Sequence, residues 1–502
     1  MPTPHDWTQT PTVPEVEAHY ARLKGIDYVV PGGGHGAAAV CRPLLARGRR
    51  VAGVANPIDE GGHSARLRWA LYQRLGYWTI IPGDTMNLLG GGFANQAVYA
   101  VTNTRLPKDL GDTPADEVFV GAVESALAKA APADRPALEA FREFVRVVGK
   151  TAQEQLVAPG LASLAGASFQ NVLHAATMLH AQAYREGRDA IDEDQYLVGS
   201  YLLERAMGVP EQGRVLPMSF TKVTLVTEHA GGRKVVGGIN RVLLAKGCAC
   251  GHLYYSDLVP ASMIAGAEPE TEEEERAKLA AAKVVDWYAA DVYHGPITEP
   301  FNNDWIFGEV RPLCPPMNPR LAAVLRALGS GGMLVIPPGN CHESTYTFFL
   351  LAGVLDEIMA ARQRGARVVL VCNPVNLLFS AGYTVRDYLR SVEQALRQSC
   401  GREVPVREVL DRVIINDPTT APESVQRMMR GEGIDPVVKQ ELLHRTPAGP
   451  VTVDREELAA LEAEGIEVVH RDMLEIQPIS IRGIQTEAVS YHPEKLTEAL
   501  LA

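Results

Sequence analysis

Residues 29–41 read VVPGGGHGAAAVC: a β-branched pair, a proline, four glycines within five positions, then small residues that suit a helix. A strand that ends in such a bend and continues as a helix brings backbone N–H groups and a helix N-terminus together on an anion. The missing side chains let the anion approach. The same glycines would also make a tight strand-to-helix turn with no ligand at all. Gly34, Gly36 and Ala39 fit the dinucleotide fingerprint GxGxxA, whereas no GK[ST] follows, which disfavours a P-loop ATPase.

Working outward, IDYVV (26–30) and VAGVA (51–55) read as short buried strands, with a helix predicted through 37–46 between them. That is a βαβ beginning. Further β-rich runs follow at 333–338, 367–373 and 412–417. The last two each stand behind a long helical pattern such as TFFLLAGVLDEIMAARQRG (347–365). The alternation predicts an α/β, Rossmann-like, mostly parallel doubly wound sheet with helices on both faces.

Two stretches break that rhythm. Residues 105–165 are expected to form a helical insertion, because Leu138, Phe141, Phe144, Val145 and Val148 recur at helical spacing behind Pro136. Residues 255–310 form a second insertion, and the glutamates of EPETEEEERAKL (268–279) complement a helix start. Between them VTLVTEHAGGRKVVGG (223–238) reads as a hairpin at the sheet edge or over a pocket. The expected layout is an N-terminal extension (1–25), core (26–104), helical insertion (105–165), core with hairpin (166–254), insertion (255–310) and core (311–502).

Composition narrows the function. At 46% hydrophobic and 22% charged the chain is an ordinary globular protein, not a disordered or fibrous one. Its formal net charge of -12 repels polyanions, so no nucleic-acid partner is expected. No apolar run approaches the roughly 18 residues of a membrane helix, and the N-terminus lacks a signal-like pattern. No membrane partner and a cytoplasmic location are therefore predicted. The cysteines at 41, 248, 250, 314, 341, 372 and 400 read as reduced thiols; Cys248, Cys250 and His252 have zinc-ligand chemistry, but no second ligand pair follows.

Acids follow the glycine bend. Asp59 and Glu60 stand just beyond the second strand, at the carboxyl end of the predicted sheet, where open α/β sheets bind ligands. Magnesium takes few protein carboxylates and completes its shell with phosphate oxygens and water, so Asp59 suffices beside a diphosphate. An acidic helix start explains the pair equally well. IIPGDTMNLLGGGF (80–93) repeats the pattern of apolar run, turn and polar residues, with Asp84 serving as a helix cap, a ligand contact or both.

The ordered set of motifs resembles the superfamily of 2-phospho-L-lactate transferases and gluconeogenesis factors (CofD/YvcK-like). Where that superfamily has GGGTG, DDGGSSGRLR and PPGDxRN, this chain has GGGHG (32–36), DEGGHSARLR (59–68) and IPGDTMN (81–87). QNVLHAATM (170–178), QGRVLPMS (212–219), IPPGNCHESTYTFFLLAGVLDEI (336–358), VVLVCNP (368–374) and GYTVRDYLRSVEQAL (382–396) continue the order. Departures are His35 for threonine, Glu60 for the second aspartate, Gln170 for glycine, and NCHES for a short Gly-Ser link. Cys341, His342 and Glu343 in that link read as structural or as an acid-base or metal group.

The resemblance implies a Rossmann-like fold that binds a nucleoside diphosphate conjugate, GDP- or UDP-linked, with Mg2+ on Asp59. Asp59 and Asp84 are the implied catalytic residues. The implied diphosphate-binding set is Gly32, Gly33, Gly34, His35, Gly36, Gly62, His63, Ser64, Arg66, Asn87, Asn171, Gly339, Asn340 and Asn373. Arg66 or Arg68 would offset phosphate charge, and Asp84 and Asn87 would orient ribose or metal-bound water. One branch moves a phosphorylated small acid onto an acceptor hydroxyl; the other binds UDP-sugars and regulates metabolism. A homodimer is expected. An NAD-linked oxidoreductase using GxGxxA stands as a third reading, without an evident hydride-transfer site.

Overall fold

A computed structural model describes residues 6–22, 25–56, 67, 71–72, 74–77, 79–80, 83–110, 112–157, 165–188, 190–221, 223–232, 234–236, 261–263, 270–292, 310–434, 447–481 and 484–502. Seven strands form the central sheet: β1 (Tyr28–Pro31), β2 (Val51–Ala55), β3 (Gly213–Pro217), β8 (Met333–Ile336), β9 (Arg367–Val371), β10 (Arg412–Asn416) and β11 (Glu467–Arg471). Their spatial order is β11-β10-β9-β8-β1-β2-β3, and every neighbouring pair is parallel. Counted along the chain, that is 3-2-1-4-5-6-7, the doubly wound order whose direction reverses between the first and fourth strands. Here the reversal falls between β1 and β8.

Burial follows the pleat. Tyr28, Val30, Val51, Met333, Val335, Val369 and Ile414 point into one hydrophobic core. Val29, Ala52, Val54, Leu334, Ile336, Val368, Leu370 and Val413 point into the other. A strand covered on both faces reads as a continuous apolar run, which is why these strands stand out in the sequence.

The helices that matter for the site are α1 (Val13–Arg22), α2 (Gly34–Ala46), α3 (Gly83–Leu88), α4 (Ala115–Leu127), α5 (Arg135–Ala152), α6 (Phe169–His180), α7 (Glu193–Ala206), α8 (Glu272–Ala282) and α9 (Val385–Cys400). The predicted helical repeat is α5, with Leu138, Phe141, Phe144, Val145 and Val148 all buried and Pro136 in its first turn. The glutamates at 272–275 open α8, which Thr271 and Glu274 cap reciprocally.

The predicted hairpin is present, as β4 (Thr224–His229) against β5 (Lys234–Val236). It belongs to a separate antiparallel sheet, β5-β4-β6-β7, completed by β6 (Val284–Val292) and β7 (Val310–Pro312), and so does not edge the central one. Trp287, Ala289 and Leu225 seat this sheet on the second core. From α9, Gln394 and Gln398 donate to the Val285 and Ala289 carbonyls at 2.8 and 3.1 Å, which ties this sheet to the helix. The chain closes with the hairpin β12 (Leu474–Ile481) and β13 (Ile484–Tyr491), tied back where Tyr491 donates to the Cys372 carbonyl at 2.5 Å. The sequence pattern does not single out β3, β11 or this hairpin.

Candidate functional site at the sheet reversal

The glycine bend is shorter than expected. The Gly32 N–H donates to the Val54 carbonyl at 2.8 Å, extending the β1–β2 ladder by one bond. Helix α2 then starts at Gly34 rather than near Ala37, so Gly34, His35 and Gly36 are its first turn. N–H groups in a first turn have no intrahelical acceptor. No side chain caps the helix at Gly33, and among the described residues nothing accepts from the N–H of Gly33, Gly34 or Gly36. Gly34 has φ +69°, and nothing lies within 4 Å of where its Cβ would be.

A second bend faces the first. Residues Pro337–Asn340 leave β8 on the other side of the reversal, and Gly339 takes φ +154°. A Cβ on Gly36 would lie 1.8 Å from the Pro338 carbonyl oxygen, so the two bends touch backbone to backbone. Asn373 holds the second bend in place: its Oδ1 accepts from the Gly339 N–H at 2.7 Å and its Nδ2 donates to the Gly339 carbonyl at 2.6 Å. The same Nδ2 contacts the Tyr388 hydroxyl at 3.3 Å, and Tyr388 in turn donates to Asn376 Oδ1 at 3.1 Å. A carboxamide thus mimics a strand neighbour where the sheet has ended.

After Asn340 the chain makes a π-helical turn, Cys341–Thr345. Asn340 Oδ1 accepts from the Glu343 N–H at 3.2 Å, its Nδ2 donates to Glu343 Oε2 at 2.6 Å, and buried Asn56, directly after β2, donates to the Glu343 carbonyl. His342 is fully buried among the rings of Trp287, Phe379 and Tyr383, and Cys341 Sγ lies 3.3 Å from its Nδ1. Burial lowers the His342 pKa to about 3 and raises that of Cys341. A neutral imidazole and an un-ionised thiol sealed in aromatic surroundings are packing groups, so the structural reading of this pair holds. Among the described residues no cluster of three metal-ligating side chains occurs.

Beyond β2 the crevice is walled by α3 and α6. Asn87 on α3 accepts from Gln170 Nε2 at 2.8 Å. Gln170, Asn171 and His174, all from α6, are buried, and His174 Nε2 lies 3.1 Å from the Tyr196 hydroxyl. Gln170 Oε1, His174 Nδ1 and Thr85 Oγ1 are buried with no hydrogen-bond partner among the described residues. Burial lowers the His174 pKa to about 3, so its imidazole is neutral.

The structure therefore brings Gly32 and Gly36 against the bend at 337–339, with Asn340 and Asn373 shaping that second bend, while Gly33 and Gly34 lie between them in the chain. Asn87 and Asn171 stand on the adjoining wall. The backbones of His35 and Asp84 lie in the first turns of α2 and α3. Asp59, Glu60, Gly62, His63, Ser64, Arg66, Arg68, Cys248, Cys250 and His252 lie outside the described residues. Sequence reasoning misses Asn56 and Thr345; an asparagine directly after a buried strand is the available signal for the first.

Chemically, a helix N-terminus with unpartnered amides, next to a crevice at a sheet reversal, suits an anion. The family model described as 2-phospho-L-lactate transferase CofD matches residues 193–474. A curated Nostoc sp. protein named a gluconeogenesis factor is 26% identical over 190 residues, 38% of this chain and 34% of that relative. The alignment thus spans about a third of the relative's length. Two crystal structures of one Bacillus halodurans protein, titled in one case as a UPF0052 family member, are 18% identical, with TM-scores of 0.49 and 0.50. Each covers 95% of this chain and 100% of its own, and the second shows a shared fold.

Proposed function

Because this chain belongs to the 2-phospho-L-lactate transferase CofD family, we propose that it binds a nucleoside diphosphate conjugate at the reversal between β1 and β8 and transfers a phosphorylated small acid, or a related group, to an acceptor hydroxyl. One observation carries the reading: the first-turn amides of α2, at the sheet reversal, have no acceptor among the described residues. In this reading Gly33, Gly34 and Gly36 bind the diphosphate through backbone N–H groups, and His35 contributes its own N–H.

A diphosphate is ordinarily accompanied by magnesium, which takes few protein carboxylates, and Asp59 follows β2 by four residues in the sequence. The ion, when bound, supplies neutralisation of phosphate charge. Asp59 would hold it, and Asp84 and Asn87, both on α3, would orient the ribose or metal-bound water. The acceptor oxygen forms a bond to the phosphorus nearest the transferred group while the bond to the nucleoside monophosphate breaks, and the hydroxyl proton passes to a carboxylate. Such chemistry asks the protein mainly for in-line positioning.

The relative named a gluconeogenesis factor favours a second reading, a non-catalytic nucleotide-sugar sensor built on the same pocket. Thermal shift with GDP, UDP-sugars and NAD, each with and without magnesium, tests both, since a ligand that binds only the folded state raises the melting temperature. Magnesium-dependent stabilisation by a diphosphate is expected. Mass spectrometry with candidate acceptor alcohols then separates transfer from sensing. A shift with NAD alone would overturn both.

A further inference from the structure

Thr345 closes the π-helical turn behind the second bend and is 1% exposed. Its Oγ1 lies 3.2 Å from where a Cβ on Gly32 would sit and 3.3 Å from where one on Gly339 would sit. The hydroxyl therefore stands between the two bends, in space that exists because both residues are glycine. It has no hydrogen-bond partner among the described residues.

The amides nearest to it are already committed. Gly32 donates to Val54 within the sheet, and Gly339 donates to Asn373. Thr347, two residues on, satisfies its own hydroxyl by donating to the Ser344 carbonyl at 3.1 Å, so the local backbone can accept such a bond where geometry allows. Thr345 does not make one. Burying a hydroxyl without a partner is unfavourable, and such groups point to a partner that arrives from outside the chain.

We propose that the Thr345 hydroxyl, between the two bends, is a ligand-binding group that donates to a phosphoryl oxygen of the diphosphate. This rests on the diphosphate reading of the site and adds a donor that neither glycine motif supplies. An uncharged hydroxyl between two bends whose amides are spent would orient the phosphoryl group, while α2 and the cation carry the charge balance.

The test compares the full-length protein with Thr345→Val, which keeps the shape and removes the hydroxyl, and with Thr345→Ser, which keeps the hydroxyl. Melting curves and titration calorimetry would use GDP and UDP with magnesium. Wild type should be stabilised by at least one of them. Thr345→Val should bind it about 10-fold more weakly or worse while melting, unliganded, at or above the wild-type temperature. Thr345→Ser should stay within about threefold of wild type.

Equal binding by wild type and Thr345→Val would overturn the inference and leave the diphosphate reading standing. A lower unliganded melting temperature for Thr345→Val with unchanged affinity would mark the hydroxyl as structural, satisfied by a buried water, and would overturn it too. No stabilisation of wild type by any diphosphate would overturn the reading and this inference together.

Discussion

The Gly36 Cα faces the Pro338 carbonyl so closely that a Cβ would sit 1.8 Å from the oxygen, whereas Gly34, two residues earlier, has open space at the same position. The two glycines therefore answer to different constraints. Alanine at Gly36 has to push two bends apart, an overpacking that costs about 1–3 kcal/mol or more. Alanine at Gly34 meets no atom and bears only the left-handed backbone, about 1–2 kcal/mol. Urea denaturation should rank Gly36→Ala as the less stable, and its diphosphate-induced shift should vanish first.

Asn373 carries the second bend. Its two bonds to Gly339 join a side chain to a backbone that no strand neighbour reaches. Asn373→Ala leaves a half-buried N–H and carbonyl without their partner, at about 1 kcal/mol each. Asn373→Asp keeps the acceptor for the N–H but sets a carboxylate against the Gly339 carbonyl. Both should lower the melting temperature, and magnesium plus diphosphate should stabilise both less than wild type.

His174 and His342 are buried neutral, each with a pKa lowered to about 3 by desolvation. For His342 the nearby His229, itself lowered by burial and bonded to the Ala282 carbonyl at 2.7 Å, acts in the same direction. The unfolded chain, with histidines near 6.5, binds more protons, so stability rises with pH across this window and falls as pH drops from about 6.5 towards 3. A tenfold difference in proton affinity between the two states corresponds to about 1.4 kcal/mol. His174→Gln should flatten the decline in urea midpoint between pH 7 and 5, whatever it does to stability at pH 7.

Glu204 on α7 runs the opposite way. It is buried and accepts from the Tyr20 hydroxyl at 2.5 Å and the Val215 N–H at 2.8 Å; desolvation raises its pKa to about 7, and the hydrogen bonds and Arg214 offset part of the rise. The folded state thus holds a proton that the unfolded state releases near 4.5, and stability is lost as pH rises from there through 7. Glu204→Gln cannot ionise and still offers an acceptor to Val215. Its stability relative to wild type should climb between about pH 4.5 and 8 in matched urea titrations.

Much of the fold was legible because local rules act locally. Val51–Ala55 is a strand with the bounds its β-branched run suggests, and Leu138 to Val148 is a helix on the face its spacing marks. Strands buried on both faces advertise themselves as apolar runs. β3 and β11 do not: GRVLP is short, with one β-branched residue between arginine and leucine, and EVVHR lies at a sheet edge with exposed ends, so neither carries a strong periodic signal.

By itself the sequence determined that a glycine bend follows the first strand, and that the chain alternates strand and helix around it, since bend and alternation are written in neighbouring residues. Only the tertiary structure decided which strand lies beside the first. That placement set Pro338 against Gly36, gave Gly339 its partner in Asn373, and left the Thr345 hydroxyl between two bends more than 300 positions apart in the chain. Contacts of that kind depend on which surfaces the two cores bring together. No local propensity encodes them.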